Sequence, residues 1–219
     1  MRKIIVGAFT SLDGVMQAPG GPEEDPIGGF RFGGWAAPLF DDKMGEAIGA
    51  LFARPFDLLL GRKTYDIFAA HWPYVEKDDP IGPLFDRINK YVATRNPALK
   101  VTWQNSHVLG PDTIAAVKAL KSEDGPDLLT QGSTEFLKAL FAHDLVDEIH
   151  ISVFPVILGK GKRLFGEDAF PRALTLLSSR ISDSGIVMNI YARAGDVTTG
   201  SFEFETPTDA ELARRRNLT

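Results

Sequence analysis

The chain has no cysteine among its 219 residues. That excludes disulfides, thiol nucleophiles and zinc–thiolate sites. Histidine is scarce, with four in all, and no H-E-x-x-H pair occurs. His143 and His150 fall on different expected elements, and His71 stands beside Trp72-Pro73 at an expected helix end, so no metal site is expected. No apolar run approaches membrane-spanning length, and the opening MRKIIVGAF reads as a strand too brief for a signal peptide. The expectation is a cytoplasmic protein without membrane contact. An excess of positive charge is also missing: the formal net charge of -5 weighs against a nucleic-acid partner. No G-x-G-x-x-G follows a strand, and no G-x-x-x-x-G-K-[ST] occurs, so neither the dinucleotide fingerprint nor the P-loop is available.

What is present is an ordinary globular balance, 44% hydrophobic and 24% charged, in a chain long enough for one sizeable core. No Pro/Gly/Ser linker separates two apolar-periodic halves. Residues 1–206 are therefore expected to form a single domain, and 207–219 a polar tail that is a short helix or frayed. Strand patterns run over 3–9, 56–60, 91–93, 106–109, 128–130 and 148–153. Helices are expected over 38–53, from Thr64, over 81–89, from an Asp112 cap to Lys121, and after 134. Residues 174–182 and 186–193 read as a hairpin about Asp183-Ser184-Gly185, and 201–206 as a final strand. Strand–turn–helix units followed by strands alone predict a mixed sheet, turning antiparallel near its end, with helices on both faces.

Three turns at strand ends carry the chemistry: Gly61-Arg62-Lys63-Thr64, Thr94-Arg95-Asn96 and Gln131-Gly132-Ser133-Thr134. A small-residue turn into a helix leaves backbone N–H groups free for a phosphate, and a guanidinium fork holds a phosphate monoester bidentately. Each turn alone reads equally as a plain cap with solvated charges. Three together point to a cofactor with more than one phosphate site.

These turns, with Ser11-Leu12-Asp13-Gly14, LLLGRKTYD at 58–66, YVATRN at 91–96, QGSTEFLKAL at 131–140 and DLVDEIHISVFPVILGKGKRLF at 144–165, resemble the dihydrofolate reductase-like fold. Within it, the chain is similar to the reductase-domain family named for the C-terminal half of the bifunctional riboflavin-biosynthesis deaminase/reductase. The resemblance spans roughly residues 3–193, with several ordered motifs in agreement. It implies a three-layer α/β/α fold with a mixed, mostly parallel central sheet and antiparallel strands at the C-terminal end. It also implies an NADPH-dependent reductase that transfers a hydride to a small heterocycle. The substrate it suggests is 5-amino-6-(5-phosphoribosylamino)uracil, with dihydrofolate or another pterin as the alternative. A non-catalytic nucleotide-binding protein on the same fold is a further alternative. A zinc deaminase pattern, H-x-E…P-C-x-x-C, has no cysteine to draw on.

Carried over residue by residue, the resemblance assigns Gly61, Arg62, Lys63 and Thr64 to the pyrophosphate and adenosine ribose. Thr94 and Arg95 border the adenosine 2′-phosphate, and Gln131, Gly132, Ser133 and Thr134 wrap the nicotinamide-side phosphate. Dihydrofolate reductases have a cis Gly–Gly bond in the last turn, where this chain has Ser133 in the second place. The family's reductases commonly pair, so a homodimer is expected, helped by strands placed late in the chain.

On the substrate side the signals are weaker. Asp13, in the turn beside the expected nicotinamide pocket, is the first candidate for a catalytic acid, and equally an Asp-Gly turn residue. Asp41 and Asp42 stand where the fold keeps an acid on its first helix. Asp42 is taken as a substrate contact, although both read as first-turn carboxylates favoured by the helix dipole. Lys160, in the loop Gly159-Lys160-Gly161-Lys162-Arg163, is a candidate for a substrate phosphate or a solvated loop residue. The loop 17–34 holds six glycines, three prolines and the acids Glu23-Glu24-Asp25, and is expected to border the substrate pocket as a lid. Phe30, Phe32 and Trp35 are expected to close over a flat substrate, with Trp35 as a contact.

Overall fold

A computed structural model describes residues 1–96, 98–166 and 169–218. Eight strands form one sheet: β1 (Ile4–Ser11), β2 (Phe56–Gly61), β3 (Lys90–Ala93), β4 (Ser106–Val108), β5 (Asp127–Thr130), β6 (Glu148–Phe154), β7 (Ala173–Ile181) and β8 (Val187–Gly195), in the order β4-β3-β2-β5-β1-β6-β8-β7. Pairings from β4 through β6 are parallel; β8 runs antiparallel to β6 and to β7. The helices are α1 (Asp42–Phe52), α2 (Arg62–Ala69), α3 (Gly82–Arg87), α4 (Thr113–Ser122), α5 (Thr134–Ala142) and α6 (Asp209–Arg216).

β2 is buried along its whole length and β1 nearly so, as a parallel strand covered on both faces should be. Side chains alternate between faces. Ile5, Leu58, Leu60 and Leu129 pack with Phe56 and Phe85 under α1, α2 and α3. Ile4, Val6, Leu59 and Leu128 pack on the other side with Val117 and Leu120 of α4 and Phe136, Leu137 and Leu140 of α5. The α/β/α layering expected from sequence is thus observed.

The N-terminal ends of the strands are closed by ion pairs. Arg2 and Asp57 pair with both side chains buried. Arg2 also donates to the Pro126 carbonyl, and Asp57 accepts from the Asn89 backbone N–H at 3.0 Å. Around them Lys3 pairs with Glu148 at 2.7 Å, and Arg54 bridges Asp127 at 2.8 Å and Glu148 at 3.3 Å. Lys121 reaches Asp147. Lys90 is fully buried at the start of β3. Its ammonium donates to the Phe85 carbonyl and lies 4.3 Å from the centre of the Trp103 ring, and burial lowers its pKa to about 8.

Several elements differ from expectation: α2 begins at Arg62, two residues before Thr64, and α3 is shorter than 81–89. The first helix begins at Asp42, because extended Asp41 caps it through the Met44 N–H; a short 3-10 turn, Ala37–Leu39, precedes it. Residues 201–206 are not a strand: β7 ends the sheet, SFEFET joins no strand among the described residues, and its Glu203 pairs instead with Arg215 of α6 at 2.7 Å. The tail beyond carries α6, capped by Thr208.

Candidate functional site

The C-terminal ends of β1, β2, β3 and β5 open onto a cleft of about 1620 Å³. All three turns singled out from the sequence line it. The turns after β2 and β5 are locked together: the Gly61 N–H donates to the Gly132 carbonyl at 2.9 Å. A Cβ on Gly61 would stand 2.5 Å from Ser133 Oγ and 2.7 Å from its backbone nitrogen. Gly132, with φ of +140°, lies against Thr64, whose Oγ1 would be 2.6 Å from an added Cβ. Only glycine permits this approach of two backbones. The Gly132–Ser133 peptide is cis.

The approach leaves two helix starts facing the cleft. α2 begins after Gly61 and α5 after Ser133, and neither N-cap receives a side-chain hydrogen bond. α1, α4 and α6 differ, being capped by Asp41, Asp112 and Thr208. Uncapped first-turn N–H groups at the positive end of the helix dipole suit an anion. Beside them stand two exposed cations, Lys63 and Arg95, which make no ion pair among the described residues. Arg62 differs: its guanidinium is held by Asp66 one turn along, at 2.6 Å. These residues fit a ligand carrying several phosphates.

The substrate-side expectations are rearranged. Asp13 does not line the cleft. Its carboxylate accepts from Ser11 Oγ at 2.6 Å and from the Leu158 and Gly159 N–H groups, and pairs with Arg163 at 3.4 Å. The Ser11 hydroxyl bond, aided by those N–H groups, lowers its pKa to about 2. Asp13 is placed to tie the turn after β1 to the loop after β6, which it does across the adjacent strands. Trp35 is buried, its indole donating to the Gln17 carbonyl at 2.8 Å and meeting Phe154 edge-on at 5.2 Å. Phe30 is buried in the same cluster, and Phe32 is exposed away from the cleft. Asp42 is an exposed residue of the first turn of α1, outside the cleft. Lys160 is exposed and also outside it; two residues on, Lys162 lines the cleft instead, its ammonium bound by Asp25.

Of the loop 17–34, the first half reaches the cleft. Residues 17–25 border the cleft. Gln17 fastens them, donating to the Asp25 and Ile27 carbonyls at 2.9 Å and accepting from the Lys162 N–H at 3.0 Å. Glu24 is the group that the sequence reading passed over. It lines the cleft and accepts from the Gly20 and Gly21 N–H groups at 2.7 and 3.1 Å through one oxygen. Burial, reinforced by the neighbouring Asp25 charge, raises its pKa above the ordinary carboxylate value. The acid run was visible in sequence, but not which member turns inward.

Comparison with known proteins agrees with this architecture. The family model of the RibD C-terminal domain matches residues 2–188. The uncharacterized protein YyaP of Bacillus subtilis is 28% identical over 195 residues, covering 87% of this chain and 94% of that protein. The deaminase/5-amino-6-(5-phosphoribosylamino)uracil reductase of Thermotoga maritima superposes with a TM-score of 0.58 at 14% identity, over 88% of this chain and 57% of that one. Dihydrofolate reductase of Enterococcus faecalis, complexed with NADP(H), superposes with a TM-score of 0.56 at 11% identity, over 87% and 96% of the two chains. The fold is dihydrofolate reductase-like, and the chain belongs to the RibD C-terminal domain family.

Proposed function

We propose that the protein is an NADPH-dependent reductase of a small heterocyclic substrate, built as one domain over residues 1–206 with a C-terminal tail. The observation that carries this reading is the pair of uncapped helix starts, α2 and α5, facing one cleft beside Lys63 and Arg95. In this reading the first-turn N–H groups of α2, with Lys63 and Thr64, hold the pyrophosphate and adenosine ribose. Thr94 and Arg95 hold the 2′-phosphate, and Gln131 to Thr134 hold the nicotinamide-side phosphate. When bound, the reduced nicotinamide supplies the hydride. The protein supplies orientation, a cleft closed on one side by the Gln17-fastened loop, and a proton. Asp13, ionised above a pKa of about 2, has none to give at neutral pH. Glu24, raised by burial and lining the cleft, is the proton donor in this reading.

Fluorescence titration tests the cofactor assignment: NADPH is expected to bind more tightly than NADH, and equal affinities would sink it. Turnover is then followed by loss of reduced-nicotinamide absorbance against a panel of aminopyrimidines and pterins. The same reading includes a homodimer. β7 ends the sheet with Leu174, Leu176, Leu177 and Ile181 exposed, an edge that a second copy would cover. Light scattering that returns the 24.0 kDa chain alone at micromolar concentration would refute that part.

A further inference from the structure

The edge of the sheet and the tail of the chain each lack a partner, and they match. β7 is the outermost strand, so one row of its N–H and C=O groups meets no other strand. It exposes Leu174, Leu176, Leu177 and Ile181, has no proline, and carries one charged residue, Arg180. Natural edge strands are guarded by charges, proline or a bulge. Here the guard is a register shift between Leu176 and Ser178, while residues 174–176 pair regularly with β8. A second cavity, of about 340 Å³, opens beside that regular stretch. Leu174 lines it together with Phe141 of α5, Ile149 of β6, and Leu164, Phe165 and Phe170 from between β6 and β7. Leu176 lies on the same face, since it pairs with Tyr191, and Tyr191 pairs with Ile149.

The tail supplies the complement. Residues 193–206 are exposed throughout, and Phe202 is bare to solvent, with Phe204 nearly so. In an extended chain these two rings fall on one face and Glu203 and Glu205 on the other. We infer that the segment 201–206 of a second copy adds to the free edge of β7, with Phe202 and Phe204 over Leu174 and Leu176 at the mouth of the second cavity. This rests on the homodimer in the reading above and names the segment that makes it. Backbone bonds to the edge set the pairing, and burial of the rings supplies the affinity. The carboxylates then fall on the face of Thr175, Ser178 and Arg180, where Arg180, like Glu205, makes no ion pair among the described residues. A chain's own arm is not the occupant. Val197 already lies on the rim of its own cavity, yet the rings beyond it stand clear of that body. To reach the free edge in its own chain, the arm would have to turn back across the end of β7 within residues 196–200. A partner's arm meets the edge from outside. Each copy gives one arm and receives one, so the exchange closes at two.

The test is sedimentation equilibrium of the full chain, wild type against the double variant Phe202→Ser/Phe204→Ser. Both rings are exposed in the single chain, so the variant is expected to keep its circular dichroism spectrum. Its dimer dissociation constant is expected to rise roughly 100-fold. A dimer that the double substitution leaves unchanged overturns the inference while the homodimer stands on another surface. A wild-type chain that stays monomeric overturns both. Cross-linking then checks the seat, and the lack of native cysteine makes it clean. Chains carrying Thr175→Cys and chains carrying Glu205→Cys are mixed, allowed to exchange, and treated with a short bismaleimide. The expected product is two chains long and joins the unlike variants. A dimeric sample that gives mainly the Thr175→Cys chain joined to itself has paired β7 directly with β7, which overturns the inference, as does absence of the mixed product.

Discussion

The two ends of the parallel strands treat charge in opposite ways. At the N-terminal ends Arg2, Lys3, Arg54 and Lys121 are each matched to a carboxylate of Asp57, Glu148, Asp127 or Asp147. At the C-terminal ends Lys63 and Arg95 are left unmatched among the described residues, and two helices begin without a side-chain cap. One end satisfies its polar groups internally and holds the sheet together. The other leaves donors and cations facing a cleft. Ligands sit at the carboxyl ends of strands in open α/β sheets because this is where turns can leave such groups free.

The largest effect that separates the ends is expected from Arg2→Ala. It strands a buried Asp57 carboxylate, and breaking a buried pair costs about 3–5 kcal/mol. Urea denaturation should show that loss, while the folded fraction keeps its nucleotide affinity; a loss of only a few tenths would place the pair among ordinary surface bridges. At the other end, Glu24→Gln is expected to lower turnover about 100-fold without loss of stability, since Gln still accepts from Gly20 and Gly21. The protonated acid is the donor, so wild-type turnover should fall as pH rises through the raised pKa of Glu24. The Gln variant should lose that dependence, and a retained alkaline limb would argue for another donor.

Arg95→Ala comes next. A hydrogen bond to a charged group contributes about 1.5–3 kcal/mol, so NADPH should weaken roughly 10- to 100-fold while NADH is unaffected. Arg62→Ala should do less, because Asp66 already holds that guanidinium; equal effects from the two would erase the distinction. The smallest change is expected from Asp13→Asn, with turnover preserved within a few-fold. Its signature is acid unfolding. A carboxyl depressed from 3.8 to about 2 stabilises the fold above its unfolded value, and that stabilisation is lost as pH falls toward 2. The Asn variant should show a flatter acid profile over that window, and a collapse of turnover at neutral pH would return Asp13 to the chemistry.

How far these features were legible in the sequence depends on how local their causes are. The three turns and the Asp112 cap are short-range patterns, and each lies where the residues put it. SFEFET alternates like a strand, but alternation supplies no partner, and β7 already ends the sheet. Trp35 reads as a pocket aromatic only until its indole finds the Gln17 carbonyl and Phe154, contacts set by tertiary packing. Lys160 and Lys162 are indistinguishable in composition; the Met16–Lys162 backbone bond and the Gln17 contact decide which one faces the cleft. Glu24 was hidden for the same reason, since its burial depends on how a loop folds back through Gln17.

The uncapped starts of α2 and α5 bear on how durable the protein is. A molecule that binds only the folded chain adds RT ln(1 + [L]/Kd) to its unfolding free energy, about 2.7 kcal/mol at one hundred times Kd. Any phosphate-bearing ligand that supplies the missing acceptors at both helix starts is therefore a structural component as well as a reactant. Protease resistance and melting temperature should follow nucleotide concentration, and preparations stripped of nucleotide should be the first to be lost.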